Sequence, residues 1–213
     1  MSDPHDWYFD VISPFAYLQW MRLRRDHPEL NLRPRPLLFG GLLQHHGQLG
    51  PAEIPGKRAF TYRFVAWEAR RLGIPLRFPP AHPFNPLTAL RLILASNDAT
   101  RATDAVFAHI WRDGQPGDSA DALAGVAAGL GISDVDAAIA QQDVKAALRS
   151  NTEEAIARGV FGVPTLCIGD ALFWGNDATR MALDYIADPG AFAHEFDAVA
   201  ALPVGIMRKR GVP

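Results

Sequence analysis

The chain has one cysteine, Cys167, in 213 residues. A single thiol cannot close an internal disulfide, run a two-cysteine redox cycle or complete a cysteine-rich zinc site. Positive charge is not in excess either: 21 Lys and Arg against 23 Asp and Glu leave a net charge of −2. That balance gives no basic surface to track a nucleic-acid backbone, so nucleic acid is not an expected partner. No apolar run approaches the ~20 residues that span a bilayer, and no membrane association is expected. The opening, Met1 to Asp6, lacks the positive stretch and apolar segment of a leader, which predicts a cytoplasmic protein. No Walker or dinucleotide glycine fingerprint is present, and Gly159 to Gly162 precedes strand-like sequence instead of following it. His45 and His46 have no spaced carboxylate or histidine partner, so no metal site is expected.

What remains is a globular composition, 48% hydrophobic and 21% charged, on a chain long enough for a sizeable core. Trp7 to Ile12 is aromatic and β-branched and reads as a buried strand. Ser13 and Pro14 follow, the residue types favoured at the N-cap and first position of a helix. The helical pattern runs from Phe15 to Pro28, and Leu30 to Leu38 reads as a second strand despite its two prolines. This opening is a βαβ unit, which implies a parallel pair. Phe39 to Pro55 reads as a loop or broken helix, and Gly56 to Leu72 as a helix closed by Gly73 and Pro75. Leu76 to Phe78 suits a short extended piece. From Leu87 to about Arg158 the Ala- and Leu-rich sequence predicts four or five helices, with Asp98, Ser119 and Ser133 as N-caps.

Strand character returns at Pro164 to Ile168 and Ala171 to Trp174, joined by Gly169-Asp170 as a hairpin turn. A last helix follows Gly175-Asn176-Asp177 and runs to about Ile186. The tail beyond Pro189 is partly helical in pattern and carries the basic cluster Arg208-Lys209-Arg210. Cys167 lies inside an apolar strand and reads as a small buried hydrophobe.

Tyr8-Phe9-Asp10-Val11-Ile12-Ser13-Pro14-Phe15-Ala16-Tyr17-Leu18, Gly159 to Thr165 and Phe173-Trp174-Gly175-Asn176-Asp177 occur in an order and spacing shared with one group of proteins. Together with Pro55-Gly56-Lys57-Arg58 and Arg71 to Leu76, they make the chain resemble the 2-hydroxychromene-2-carboxylate isomerases. Those enzymes are kin of the kappa-class glutathione transferases within the thioredoxin-like group of bacterial disulfide oxidoreductases. The resemblance implies an α/β thioredoxin-like fold with an inserted all-helical domain. It divides the chain as residues 1–80, a helical insertion over 81–158, and 159–213. It also implies a homodimer, glutathione as cofactor and a small aromatic carboxylate as substrate.

By the same resemblance, Ser13 takes the place of the first cysteine of a Cys-x-x-Cys motif and stabilises glutathione's thiolate, while Ala16 takes the second. A helix N-terminus suits an anion on physical grounds as well. Pro164 is expected as a cis-proline that leaves the backbone of Val163 free to pair with the cysteinyl part of glutathione. Trp174, Gly175, Asn176 and Asp177 are assigned to the γ-glutamyl end, Asp177 to its ammonium and Asn176 with nearby amides to its carboxylate. Lys57 and Arg58 fall near the mouth of such a site. Their bland reading is a solvated helix face, as capping is for Ser13 and a helix-opening turn for Gly175 to Asp177. The implied activity is a glutathione-dependent cis–trans isomerisation. The alternatives are a kappa-like transferase or peroxidase, and a non-catalytic thioredoxin-like binding protein.

Overall fold

A computed structural model describes residues 4–206. Four strands form one sheet in the order β2-β1-β3-β4: β1 (His5–Phe9), β2 (Leu32–Pro36), β3 (Thr165–Ile168) and β4 (Ala171–Trp174). β1 pairs in parallel with β2 and antiparallel with β3, and β3 pairs antiparallel with β4. The opening βαβ unit and the closing hairpin therefore share one mixed sheet. β2 tolerates Pro34 and Pro36 because it is an edge strand.

Ten α-helices are described: α1 (Pro14–Asp26), α2 (Phe39–His46), α3 (Pro55–Leu72), α4 (Leu87–Ala95), α5 (Ala99–Phe107), α6 (Ala120–Gly129), α7 (Val135–Ala140), α8 (Gln142–Ala157), α9 (Thr179–Ala187) and α10 (Ala193–Ala200). A π-helical turn, Ala108–Arg112, prolongs α5. The hydrophobic core joins sheet and helices through aromatic rings. Trp7 stacks on Phe9 and Trp20, and Phe107 of α5 packs against Phe9. Each such fully buried side chain contributes roughly 1.5–3 kcal/mol.

Local signals with short-range causes are met in the structure. The Ser13 hydroxyl accepts from the Ala16 amide, and Asp98 and Ser119 cap α5 and α6 in the same way. Gly73 ends α3 in the left-handed conformation, and the hairpin turns at Gly169 with φ +56°. Two expectations, the end of β1 and the cap of α7, need correction, and two others are made specific. β1 ends at Phe9, not Ile12, because the Asp10 carboxylate and carbonyl accept from the Ile12 and Ser13 amides and turn the chain. Phe39 to His46 is a helix; Asp10 supplies an acceptor to the Phe39 amide from 29 residues away. Asp134, not Ser133, caps α7. Leu76 to Phe78 joins no strand. The basic cluster Arg208 to Arg210 lies outside the described residues.

Candidate functional site

β1 and β3 are antiparallel neighbours, with Tyr8 opposite Thr165. The chain leaving β1 toward Ser13 and the chain arriving at β3 through Val163 and Pro164 therefore lie at the same end of the sheet. The Val163–Pro164 peptide is cis. The Pro164 carbonyl accepts from the Gly175 amide at 2.8 Å, which ties the proline loop to the turn after β4. Gln19 completes the connection. Its Nε2 donates to the Gly175 carbonyl at 2.9 Å and to the Thr179 hydroxyl at 3.0 Å, while its Oε1 accepts from Trp7 Nε1 at 2.7 Å. Helix α1, the cis-proline loop and the turn over residues 174–177 are thus one hydrogen-bonded body.

Ser13 is buried at the mouth of α1. Its oxygen accepts from the Ala16 amide at 3.2 Å, and its proton has no acceptor among the described residues. A hydroxyl that accepts from the helix and has a proton to spare is suited to donate to an anion at that helix end. The backbone ahead of it is pinned from several sides. The Val11 carbonyl accepts from Trp111 Nε1 at 2.8 Å, and the Ile12 carbonyl meets His82 Nε2 at 2.8 Å. The Ser13 amide donates to the Asp10 carbonyl at 3.1 Å. The Asp10 carboxylate accepts from the Ile12 and Phe39 amides at 3.0 and 2.9 Å. Complete burial pushes the Asp10 carboxyl up to about 7, against the pull of those two amides.

Among the described residues, neither the amide nor the carbonyl of Val163 has a hydrogen-bond partner. The half-exposed indole of Trp174 lies over Gly162, where any Cβ would collide with it, and meets Phe161 edge-on at 5.0 Å. Gly175, at φ +93°, needs the left-handed freedom of glycine, and a Cβ there would strike the Asp177 carboxylate folded over it. Asp177 is exposed and forms no ion pair among the described residues. Asn176 turns inward, with Nδ2 donating to Glu68 Oε1 at 3.3 Å and Oδ1 buried without a partner. Its side chain therefore does not face solvent, and the turn offers a ligand its backbone and Asp177.

Lys57 and Arg58 are exposed in the first turn of α3 and form no ion pair among the described residues. The structure does not bring them against Ser13; α3 reaches α1 further along, where Phe64 meets Phe15 at 6.0 Å. Arg180 pairs with Asp184 on the surface of α9. Cys167 is buried, and burial pushes its thiol up to about 11, consistent with an inert core residue.

Gln19, Glu68 and His82 belong to no motif that marks them as site residues. Gln19 is a polar residue on the buried face of α1, and Glu68 a buried carboxylate bound bidentately by Arg71. The hydrogen bond and charge of Arg71 hold Glu68 below the usual carboxylate range. The only sequence signal for either is a polar side chain inside an apolar helical stripe. An open cleft of about 530 Å³ lies on the helical segment between α5 and α6, away from these residues. Its charges are already paired, Arg112 with Asp113 and Arg101 with the Gly129 carbonyl.

The chain matches the DSBA-like thioredoxin domain over residues 6–187. It is 30% identical over 183 residues to a 2-hydroxychromene-2-carboxylate isomerase of Pseudomonas putida, covering 83% of this chain and 90% of that one. It is 29% identical over 205 residues to glutathione S-transferase kappa 2 of Caenorhabditis elegans, covering 85% and 91%. A solved 2-hydroxychromene-2-carboxylate isomerase superposes with a TM-score of 0.79 at 26% identity, over 94% of this chain and 100% of the other.

Proposed function

The chain belongs to the family of DSBA-like thioredoxin domains, and on that premise we propose that it is a glutathione-dependent cis–trans isomerase of aromatic acids like 2-hydroxychromene-2-carboxylate. The observation that carries this reading is the Ser13 hydroxyl, anchored as an acceptor on Ala16 with its proton unspent at the end of the sheet where Val163 keeps a bare peptide edge. The fit of a glutathione tripeptide rests on orphaned groups. Val163 offers one donor and one acceptor to a cysteinyl backbone, and Asp177 offers a carboxylate to an ammonium group.

Glutathione, held by Val163 and Asp177, would supply a thiolate nucleophile that is returned unchanged at the end of the isomerisation. Ser13 would donate its proton in a hydrogen bond to that sulfur, and the Phe15 amide, which has no partner among the described residues, would add its partial positive charge, Pro14 having no N–H and the Ala16 and Tyr17 amides being taken by Ser13. Such amides and hydroxyls depress a thiol pKa by the differential stability of the thiolate, ~1.4 kcal/mol per unit. Gly175 lets the Asp177 carboxylate fold back, and Trp174 shields the proline loop with its ring. Ser13 and Ala16 in place of cysteines, with Cys167 buried, oppose a disulfide oxidoreductase. Lys57 and Arg58 would meet the substrate carboxylate only at the outer mouth. A cytoplasmic homodimer accompanies this reading. A kappa-like transferase or peroxidase is the second reading, supported by relatives with that name at comparable identity.

Calorimetry with reduced glutathione tests the cofactor, and ultraviolet turnover of 2-hydroxychromene-2-carboxylate with and without glutathione tests the reaction. Binding is expected, with Asp177→Asn weakening it about tenfold, the equivalent of ~1.4 kcal/mol. No heat at millimolar glutathione would remove the reading. Binding without glutathione-dependent turnover would transfer it to the transferase.

A further inference from the structure

We propose that His82 is a positioning residue for the Ser13 hydroxyl, acting through the Ile12–Ser13 peptide, and that Tyr62 holds the ring in place for it. The inference rests on the reading of Ser13 as the donor to a thiolate. His82 lies 70 residues downstream, in the irregular segment between α3 and α4, and its Nε2 is 2.8 Å from the Ile12 carbonyl. A carbonyl only accepts, so Nε2 must be the protonated nitrogen. Burial lowers the His82 pKa, which favours the neutral ring and leaves Nδ1 as a bare acceptor. The Tyr62 hydroxyl stands 2.7 Å from Nδ1 and 2.9 Å from the His82 carbonyl. With the ring neutral the hydroxyl proton is shared between Nδ1 and the His82 carbonyl, and the other tautomer would set a bare Nε2 against the Ile12 carbonyl, two acceptors facing each other. One tautomer is thereby selected.

The selected proton is aimed at one peptide plane. The carbonyl of the Ile12–Ser13 peptide is held by His82 and its amide by the Asp10 carbonyl at 3.1 Å. Fixing both ends of that plane fixes the Cα of Ser13 and the direction in which its hydroxyl leaves the helix. The ring is itself held by Trp111 at 5.5 Å and Tyr62 at 5.4 Å between centroids. A hydrogen bond to a charged acceptor weakens steeply when its angle degrades, so small rotations of this peptide reach the sulfur.

The test separates tripeptide binding from thiolate stabilisation. S-methylglutathione, which has no ionisable thiol, is titrated by calorimetry into wild type, His82→Leu, His82→Gln and Tyr62→Phe. The thiol pKa of bound reduced glutathione is then read from thiolate absorbance. Affinity for S-methylglutathione is expected to stay within about twofold in all four. The bound thiol pKa is expected to rise by about one unit in His82→Leu, a tenfold loss of ionisation. It should rise less in Tyr62→Phe and return toward wild type in His82→Gln, whose amide keeps a donor near the Nε2 position. Unchanged thiol pKa values with binding intact would overturn the positioning role alone. Failure of the wild type to bind S-methylglutathione would overturn it together with the glutathione reading. If His82→Leu does not fold, the comparison of Tyr62→Phe and His82→Gln with wild type decides.

Discussion

Two carboxylates are buried four residues apart on either end of β1, and the protein treats them in opposite ways. Asp6 is surrounded by arginines: Arg33 reaches it at 2.5 and 3.0 Å, Arg158 at 2.8 Å, and Arg35 stands at 3.9 Å. Arg35 also pairs with Glu154, to which the Tyr8 hydroxyl donates. Burial works against the Asp6 carboxylate, but the hydrogen bond and charge of Arg33, with Arg35 and Arg158, hold it below the usual range. Asp10 has only two peptide amides, and burial leaves its carboxyl near neutrality, at about 7. One end of the sheet is closed by full charges; the other is held by dipoles. The dipole-held end carries Ser13, Val163 and the start of α1, where Asp10 adds no negative charge beneath a bound anion as long as it keeps its proton.

The comparison breaks first at its charged end. Asp6→Ala would leave three partly exposed arginines without their shared carboxylate and is expected to destabilise the fold by about 3 kcal/mol at neutral pH, the loss of charge-assisted hydrogen bonds from Arg33 and Arg158. Because the Asp6 pKa is depressed on folding, its contribution is present above about pH 4 and is lost as pH falls further. Urea titration measures this; a midpoint within error of wild type would show that the arginines serve solubility and not stability.

Asp10→Asn sharpens the contrast at the other end. The unfolded chain ionises this group near the ordinary aspartate value of 3.8, whereas the folded chain keeps the proton to about 7. The folded state therefore binds more protons in that window, and stability falls as pH rises through it. Between about pH 5 and pH 8 the loss attributable to Asp10 is roughly 2–3 kcal/mol. His82, with its lowered pKa, opposes this slope, so the difference between wild type and Asp10→Asn in paired urea titrations is the quantity to read. Parallel profiles would mean that Asp10 is ionised throughout and that the two ends are alike.

The smallest expected effect tests the link between them. Gln19→Leu leaves the Trp7 indole N–H and the Thr179 hydroxyl short of a partner and cuts the bridge to Gly175. A stability cost of about 1–2 kcal/mol is expected, with weaker glutathione binding in calorimetry. Unaltered binding would show that the turn over residues 174–177 keeps its place without α1.

What could be read in the sequence was local. The Ser13-Pro14 start of α1, the Gly73 end of α3 and the hairpin around Gly169-Asp170 each have their cause within a few residues. Helix α2 was ambiguous because it begins with no side-chain cap of its own and borrows Asp10 across the fold. The candidate site divides along the same line. Ser13, Val163, Pro164 and Gly175 are placed by short motifs. The family resemblance assigns Asn176 to a ligand, yet Glu68 of α3, 108 positions away, draws its side chain inward. Gln19, His82 and Tyr62 acquire meaning only from partners distant in the chain, and no spacing rule connects them.

The strand order has a temporal side. β1 is an inner strand whose second neighbour, β3, begins only at Thr165, after every helix from α1 to α8 has been made. At the ~5–20 residues per second of synthesis, the edge of β1 awaiting that neighbour stands open for on the order of ten seconds or more. That strand carries Trp7, Tyr8 and Phe9, among the most sticky residues of the molecule. The nascent chain must therefore guard this edge from other chains, and the proline loop and the turn at Gly175 emerge on either side of the closing hairpin, so that the strand closing the edge also completes the candidate site around Ser13.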